Sequence, residues 1–252
     1  MSDFKVSVDR MAFKNFIEAI RTVGDEVGFE FTKKRVKVLC IDPSHVAMLE
    51  AEMPVTQVTG LSRGKIMVNL SLNQLLTFVK TAGSDQVSFS FDGEKKMVTL
   101  KAEGSRKKII LTTLSKEATT TVEMPKLDPP VKLKLKNAVE FKDSIKTTTK
   151  LGVSVQVRMS LNADPLNPEK KVLSLESEGD SSTFTDAIEV EIVDGDEEVS
   201  SMFPMDYMNS IAGAIVPGMD VEFQMGADYP IIIQMQHGDT KYKFLMAPRI
   251  EN

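Results

Sequence analysis

Asp42 and His45 stand three positions apart in a turn that follows an alternating run, and an Asp-His pair can serve as orienter and general base. The sequence places no candidate nucleophile beside them, so a hydrolase using Asp42 and His45 is kept only as an alternative of another class. The two histidines, His45 and His237, lie far apart with no Cys or His at ligand spacing, which argues against a zinc site. The acids Asp194, Asp196, Glu197 and Glu198 offer oxygen ligands of the kind a divalent cation takes, but a run of this type reads better as a charged surface loop. The glycine-rich, zinc-helix and nucleophile-elbow motifs are absent. No catalytic residue, metal or cofactor is expected.

Cations carry the sharper signal. A helix turns about 100° per residue. In the helix predicted over Asp9 to Val23, Phe13, Phe16, Ile17 and Ile20 form one apolar face, and Arg10, Lys14 and Arg21 share a narrow arc beside it. The helix from Asn137 to Lys150 repeats the arrangement with Ala138, Phe141 and Ile145 inside and Lys142, Lys146 and Lys150 at i, i+4, i+8 on the same side. A shorter helix, Leu72 to Thr81, places Lys80 at a similar offset. Such stripes form an electrostatic track for phosphates, with no groups that read bases. The helix from Pro204 to Ala214 breaks the pattern, with Asp206, Asn209 and Gly213 where cations would be expected.

These helices belong to a unit that occurs twice. Asn69 to Lys101 and Phe203 to Gln236 each read as helix, break, strand, turn, strand, and each half opens with a strand, Phe4 to Val8 or Val131 to Leu135, leading into a helix. Further alternating runs predict strands at Phe29 to Phe31, Val36 to Ile41, Val46 to Met53, Lys65 to Val68 and Lys108 to Thr113. The second half offers Val153 to Leu161, Val172 to Ser177, Ala187 to Val193 and Tyr242 to Met246, a count and order taken to match the first. The expectation is an α+β protein of two pseudo-symmetric domains, each with two helices packed on β-sheet: residues 1–114, a connector 115–130, and residues 131–252. The connector holds three prolines and so an extended bias. Its apolar Val122, Met124 and Leu127 are more than a plain linker needs.

The 252 residues suffice for two cores. The single cysteine, Cys40, excludes an intrachain disulfide and suits a reducing interior. No signal-like or membrane-spanning run is evident. Net charge is -5, unevenly spread: residues 1–125 carry 18 Lys+Arg against 15 Asp+Glu, and no Lys or Arg occurs between Lys171 and Lys241. So many acids fit a solvating surface, or a restriction of positive charge to a few selected faces. An open protein that binds single strands would interleave aromatics with cations, and the chain has no Trp and only 3 Tyr.

The run VKVLCIDPSHVAMLEAEM from Val36 to Met53 resembles the first signature of the proliferating cell nuclear antigen (PCNA) family of DNA sliding clamps. Gly64 to Gly83 is similar to the second signature, and KFLMAPRIEN from Lys243 to Asn252 resembles the family's tail. With the duplication, the likeness spans essentially the whole chain. Pro43 and Arg249 look more like archaeal members. The resemblance implies a non-enzymatic polymerase processivity factor, a homotrimeric ring around duplex DNA lined by Arg10, Lys14, Arg21, Lys80, Lys142, Lys146 and Lys150. It implies subunit contacts through Lys107, Lys108, Ile109 and Leu111 on one edge and Asp186, Ile188 and Glu189 on another, where unpaired strands invite partners. It further implies a pocket for a glutamine-aliphatic-aromatic peptide, formed by Ile41, His45, Val46, Met48, Val122, Met124, Pro125, Pro230, Leu245, Met246, Ala247, Pro248 and Ile250. DNA polymerase, clamp loader, flap endonuclease and DNA ligase are the partners it implies. The location would be cytoplasmic at the nucleoid in an archaeon, or nuclear in a eukaryote. A specialised paralogue, serving as a heterotrimer subunit or checkpoint-type clamp, is the alternative within the family.

Overall fold

The computed structural model describes residues 4–61, 64–115 and 122–250. They fall into two compact units, one running to Met124 and including Asp239–Lys241, the other running from Pro125 to Gly238 and resuming at Tyr242. The division falls inside the segment read as a connector, whose residues 116–121 lie outside the described residues.

The first unit holds β1 (Phe4–Asp9), α1 (Arg10–Ile20), β2 (Glu26–Thr32), β3 (Arg35–Ile41), β4 (Ala47–Pro54), β5 (Gln57–Thr59), β6 (Lys65–Ser71), α2 (Leu72–Thr81), β7 (Gln86–Asp92), β8 (Met97–Ala102) and β9 (Lys108–Thr112). Its strands run in the orders β5-β1-β7-β8-β9 and β4-β3-β2-β6, antiparallel throughout. Alternating apolar positions turn one face of each strand inward, where phenylalanines meet. Phe13 of α1 packs edge-on against Phe89 at 4.9 Å between ring centroids, and Phe4 lies 5.2 Å from Phe31. Burying each such ring contributes roughly 1.5–3 kcal/mol. Asp9 fixes where α1 begins, its carboxylate accepting from Ala12 N at 2.7 Å.

The second unit holds β10 (Val131–Leu135), α3 (Ala138–Leu151), β11 (Gln156–Asp164), β12 (Asn167–Glu178), β13 (Thr183–Asp194), β14 (Val199–Pro204), α4 (Met205–Gly213), β15 (Asp220–Met225), β16 (Ile231–His237) and β17 (Thr240–Met246). Strand orders β14-β11-β12-β13 and β10-β15-β16-β17 repeat those of the first unit. Its core relies less on rings: Phe141 meets Phe223 at 5.1 Å, and Met159, Met208, Met225 and Met235 are buried around them. Asn137 caps α3 by accepting from Val139 N and Glu140 N, and Gly152, at φ 62, closes it in the left-handed conformation.

One difference between the copies has a plain cause. In the second unit β13 runs unbroken, pairing with β12 over Thr183 to Glu189 and then with β10 over Val190 to Asp194. Its counterpart in the first unit is broken after Pro54, which ends β4, and resumes as β5 against β1. Proline cannot donate to a ladder, so an interruption there costs little. The predicted equality of strand count is therefore corrected by β5. A second correction is β14, which the sequence reading left out. Val199–Pro204 is buried on both faces apart from Ser200, so it lacks alternation. Its serines look like loop residues but are satisfied internally: Ser201 Oγ donates to Gly226 O at 2.8 Å and accepts from Tyr229 N at 3.1 Å.

Equivalent edges are closed in equivalent ways. Beyond β9 the chain turns back so that Leu114 N donates to Asn69 O of β6 at 2.9 Å, and beyond β17 Arg249 N donates to Met202 O of β14 at 2.7 Å. Each acceptor lies two residues from the end of its strand, immediately before the unit's second helix. Among the described residues no helix is long and apolar enough to cross a membrane.

At the end of β13, Gly195 has φ +65, and a Cβ there would lie 2.1 Å from Pro130 O. Gly195→Ala is expected to cost more than about 1 kcal/mol of stability, since backbone must move and φ is unfavourable. Chemical denaturation of the two proteins checks this, and an unchanged midpoint would contradict it.

Candidate functional site

The turn between β3 and β4 is built by Asp42. Its buried carboxylate accepts from Ser44 N at 2.8 Å, Val46 N at 2.7 Å and Ala47 N at 2.6 Å, while Asp42 N donates to Ala47 O at 3.0 Å. These bonds commit its carboxylate to backbone, and the ring of His45 is exposed on a residue at φ 59. The arrangement presents the turn rigidly rather than preparing a base, and the hydrolase alternative gains no geometric support. Burial pushes the Cys40 thiol, on the strand entering this turn, up to about 12, so the thiolate is not formed near neutrality. Among the described residues no cluster of three or more His, Cys, Asp or Glu side chains could hold a metal ion.

The helices lie in pairs within each unit, α1 beside α2 and α3 beside α4. The structure gives the seven candidate track cations different surroundings. Lys14 and Lys80 both contact Glu18, at 3.2 and 2.9 Å, and Arg21 pairs with Asp25 at 3.2 Å. Lys142 is engaged differently: its Nζ donates to Ile215 O and, at 3.4 Å, to Gly213 O, where α4 ends. Partial burial, then the neighbouring Lys146, lowers its pKa. Lys142 thus ties down the segment that leaves α4, through Gly213 O at the helix end and Ile215 O beyond it, a role its spacing on the apolar-adjacent stripe did not reveal. Lys146 and Lys150 form no ion pair among the described residues, and Arg10 is half-buried at the start of α1.

For Glu18, burial alone would raise the carboxyl, but hydrogen bonds from Lys80 and Lys14 outweigh it and hold it below the usual glutamate range. On α4, Asp206 accepts from Tyr207 N at 2.9 Å, and the helix carries no cation.

Among the described residues β9 and the first half of β13 each keep an open edge. β9 pairs only with β8, and Thr183 to Ile188 of β13 pair only with β12. A groove flanks each: Phe78 and Thr81 of α2 with Lys108 and Ile109 on one side, Asn137 and Ser144 with Phe184 and Asp186 on the other. Half-buried Phe78 and Phe184 were missed by the sequence reading, because a single aromatic beside polar neighbours gives no periodic signal. The charges predicted to meet across these edges are partly committed at home. Lys107 Nζ donates to Thr81 O at 2.8 Å, Glu189 pairs with Lys136 at 2.9 Å, and Ser144 donates to Asp186. Leu111 and Ile188 turn into the core, so these positions can offer a partner backbone rather than side chain. Lys108 is exposed and Ile109 half-buried.

The peptide-pocket candidates divide between the units. In the first, His45 is exposed, Ile41, Val46, Val122 and Met124 are half-buried, and Met48 is buried. In the second, Met246 is fully buried and Leu245 nearly so, which makes them core residues of that unit. Pro230, Ala247 and Pro248 are half-buried, Pro125 is exposed and Ile250 is 73% exposed.

A strand-helix-strand unit is thus present twice, with two helices on two sheets each time. The structure superposes on that of an A. fulgidus PCNA bound to the C-terminal region of FEN-1 with a TM-score of 0.85 and 21% identity, covering 99% of each chain. The PCNA of Thermococcus kodakaraensis gives a TM-score of 0.81 at 20% identity, over 98% of this chain and 100% of that one. In sequence, a DNA polymerase sliding clamp from Methanocella arvoryzae is 26% identical over 99% of both chains. One from Methanococcus maripaludis is 24% identical over 99% of this chain and 100% of its own. No family model matches. Over its full length the chain is therefore similar in sequence to proteins named DNA polymerase sliding clamp, and it shares the fold of solved PCNA structures.

Asp42→Ala would leave three backbone donors without their acceptor, at a cost on the order of 2–4 kcal/mol. Thermal unfolding should show a clear loss for Asp42→Ala and none for His45→Ala. Equal behaviour of the two would contradict the assignment of Asp42 as the organiser of the turn.

Proposed function

We propose that this protein is a DNA sliding clamp: copies of the chain close a ring around duplex DNA and tether polymerase and other DNA-processing enzymes to it. The observation that carries the reading is the end-to-end likeness to proteins named DNA polymerase sliding clamp. Three copies are the proposed assembly, each pairing β9 with the first half of a neighbour's β13. Ladder bonds between main chains would carry this contact, with Phe78 and Phe184 in the flanking grooves, since several charges there already have partners of their own.

DNA is held without sequence preference. Lys146 and Lys150 supply the most available phosphate contacts, with Arg10, Lys14, Arg21 and Lys80 behind them, while Lys142 acts mainly through α4. Contacts of this type are salt-sensitive and permit sliding, because no base edge is read. Tethering raises the effective concentration of a bound polymerase at its template, so it rebinds before diffusing away. Partner contacts are proposed at His45 and Val46 on the turn that Asp42 organises, at Val122 and Met124, and at Ala247, Pro248 and Ile250 on the tail. A flap endonuclease is the partner best supported, because the A. fulgidus PCNA was solved with part of FEN-1 bound.

Solution molar mass should correspond to three chains, and the double variant Lys146→Glu, Lys150→Glu should retain that mass. Its binding to duplex DNA should weaken, with the slope of log affinity against log salt shallower by about 0.9 for each phosphate no longer neutralised. A monomeric mass would refute the ring, and an unaltered salt slope would refute the track.

A further inference from the structure

We infer that Glu18 is a resident anion in the DNA track, a carboxylate that competes with phosphate for two of the track's own cations and keeps the first unit's grip weak. The inference rests on the reading of the helices as a phosphate track. It adds a residue that adjusts how strongly that track holds.

Glu18 lies one turn beyond Lys14 on α1, and its Oε2 is 3.2 Å from Lys14 Nζ; its other oxygen, Oε1, reaches across to Lys80 Nζ on α2 at 2.9 Å. A single carboxylate therefore holds two ammonium groups taken from the two helices of one pair. Its side chain remains 35% exposed, and those of Lys14 and Lys80 26% and 48%, so water and a diffusing phosphate can reach all three. Partly exposed pairs of this kind are weak and open readily. That is the behaviour of an exchangeable contact. An incoming phosphate meets lysines whose heads are already positioned, but it must displace a carboxylate to take them. Arg21 is restrained in the same way by Asp25. Lys146 and Lys150 on α3 meet no such competitor among the described residues.

The two helix pairs thus differ in kind. In the first unit the cluster of Lys14, Lys80 and Glu18 carries net charge +1. The α3 stripe keeps Lys146 and Lys150 available. Moderate binding suits a protein that must move along DNA, because each phosphate has to be released as the next is met.

Glu18→Gln tests the inference. The amide keeps the side chain's size and one of the two acceptor oxygens, while the cluster's charge rises from +1 to +2. On duplex DNA the variant should bind more tightly, by up to about eightfold at ~0.1 M salt, with a salt slope steeper by about 0.9. Glu18→Ala should do the same, and the gain should vanish in the triple variant Glu18→Gln, Lys14→Gln, Lys80→Gln. A Glu18 that merely bridges two helices predicts a lower melting temperature with DNA affinity and salt slope unchanged, and that result would overturn the inference. If Lys146→Glu, Lys150→Glu also leaves DNA binding unaltered, the track itself is wrong. If that variant weakens binding while Glu18→Gln has no effect, only the role given to Glu18 fails.

Discussion

A β-strand at the edge of a sheet exposes a row of donors and acceptors, and how this chain meets that constraint decides most of its architecture. Some edges are closed internally, by Leu114 N on Asn69 O in one unit and Arg249 N on Met202 O in the other. A third is kept to the three residues of β5. β9 and the first half of β13 are left open, each beside a helix and a half-buried phenylalanine. In the proposed assembly these open edges are satisfied head-to-tail by further copies, and a ring is the closed form of such pairing. The long, unbroken β13 follows from the same constraint. Its second half is used at home by β10, which fixes its first half in place as an exposed strand.

Helix ends impose the next demand, and they draw on lysines otherwise expected at the subunit edge or the DNA track. Lys107 closes the carbonyl end of α2 and Lys142 that of α4, so in each unit the second helix is finished by a lysine from elsewhere in the unit. A cation at a helix C-terminus is favoured by both hydrogen bonding and the dipole. Local charge is then partitioned. Lys107 and Lys142 hold the scaffold, Lys14 and Lys80 share Glu18, and Lys146 and Lys150 stay accessible.

Much of this was legible in the sequence, for identifiable reasons. α2 was bounded at Leu72 and Thr81 because its apolar positions are regular and its flanks are polar. The alternating strands around Asp42 and the repeated helix-strand-turn-strand order gave the fold class. β14 was missed because it is buried on both faces, and β5 because three residues carry no period. For the basic stripe, spacing gives the angle of each cation on its helix but not its partners. Spacing places Lys142 beside Lys146, yet only the approach of α4's last carbonyls shows that its charge is already engaged. Likewise Met246 looked like a tail residue free to line a pocket, and in the folded unit it is fully buried. Patterns along one element are readable from sequence, whereas competition between elements for one side chain is not.

The central claim is topological, that the protein holds DNA by surrounding it. The most direct measurement is retention of the assembled protein on a nicked circular duplex before and after a single cut that linearises it. The account predicts that the protein stays on the circle in salt high enough to screen its phosphate contacts, and is lost from the ends once the circle is cut. Equal retention on both forms, or loss from both with the same salt dependence, would contradict it.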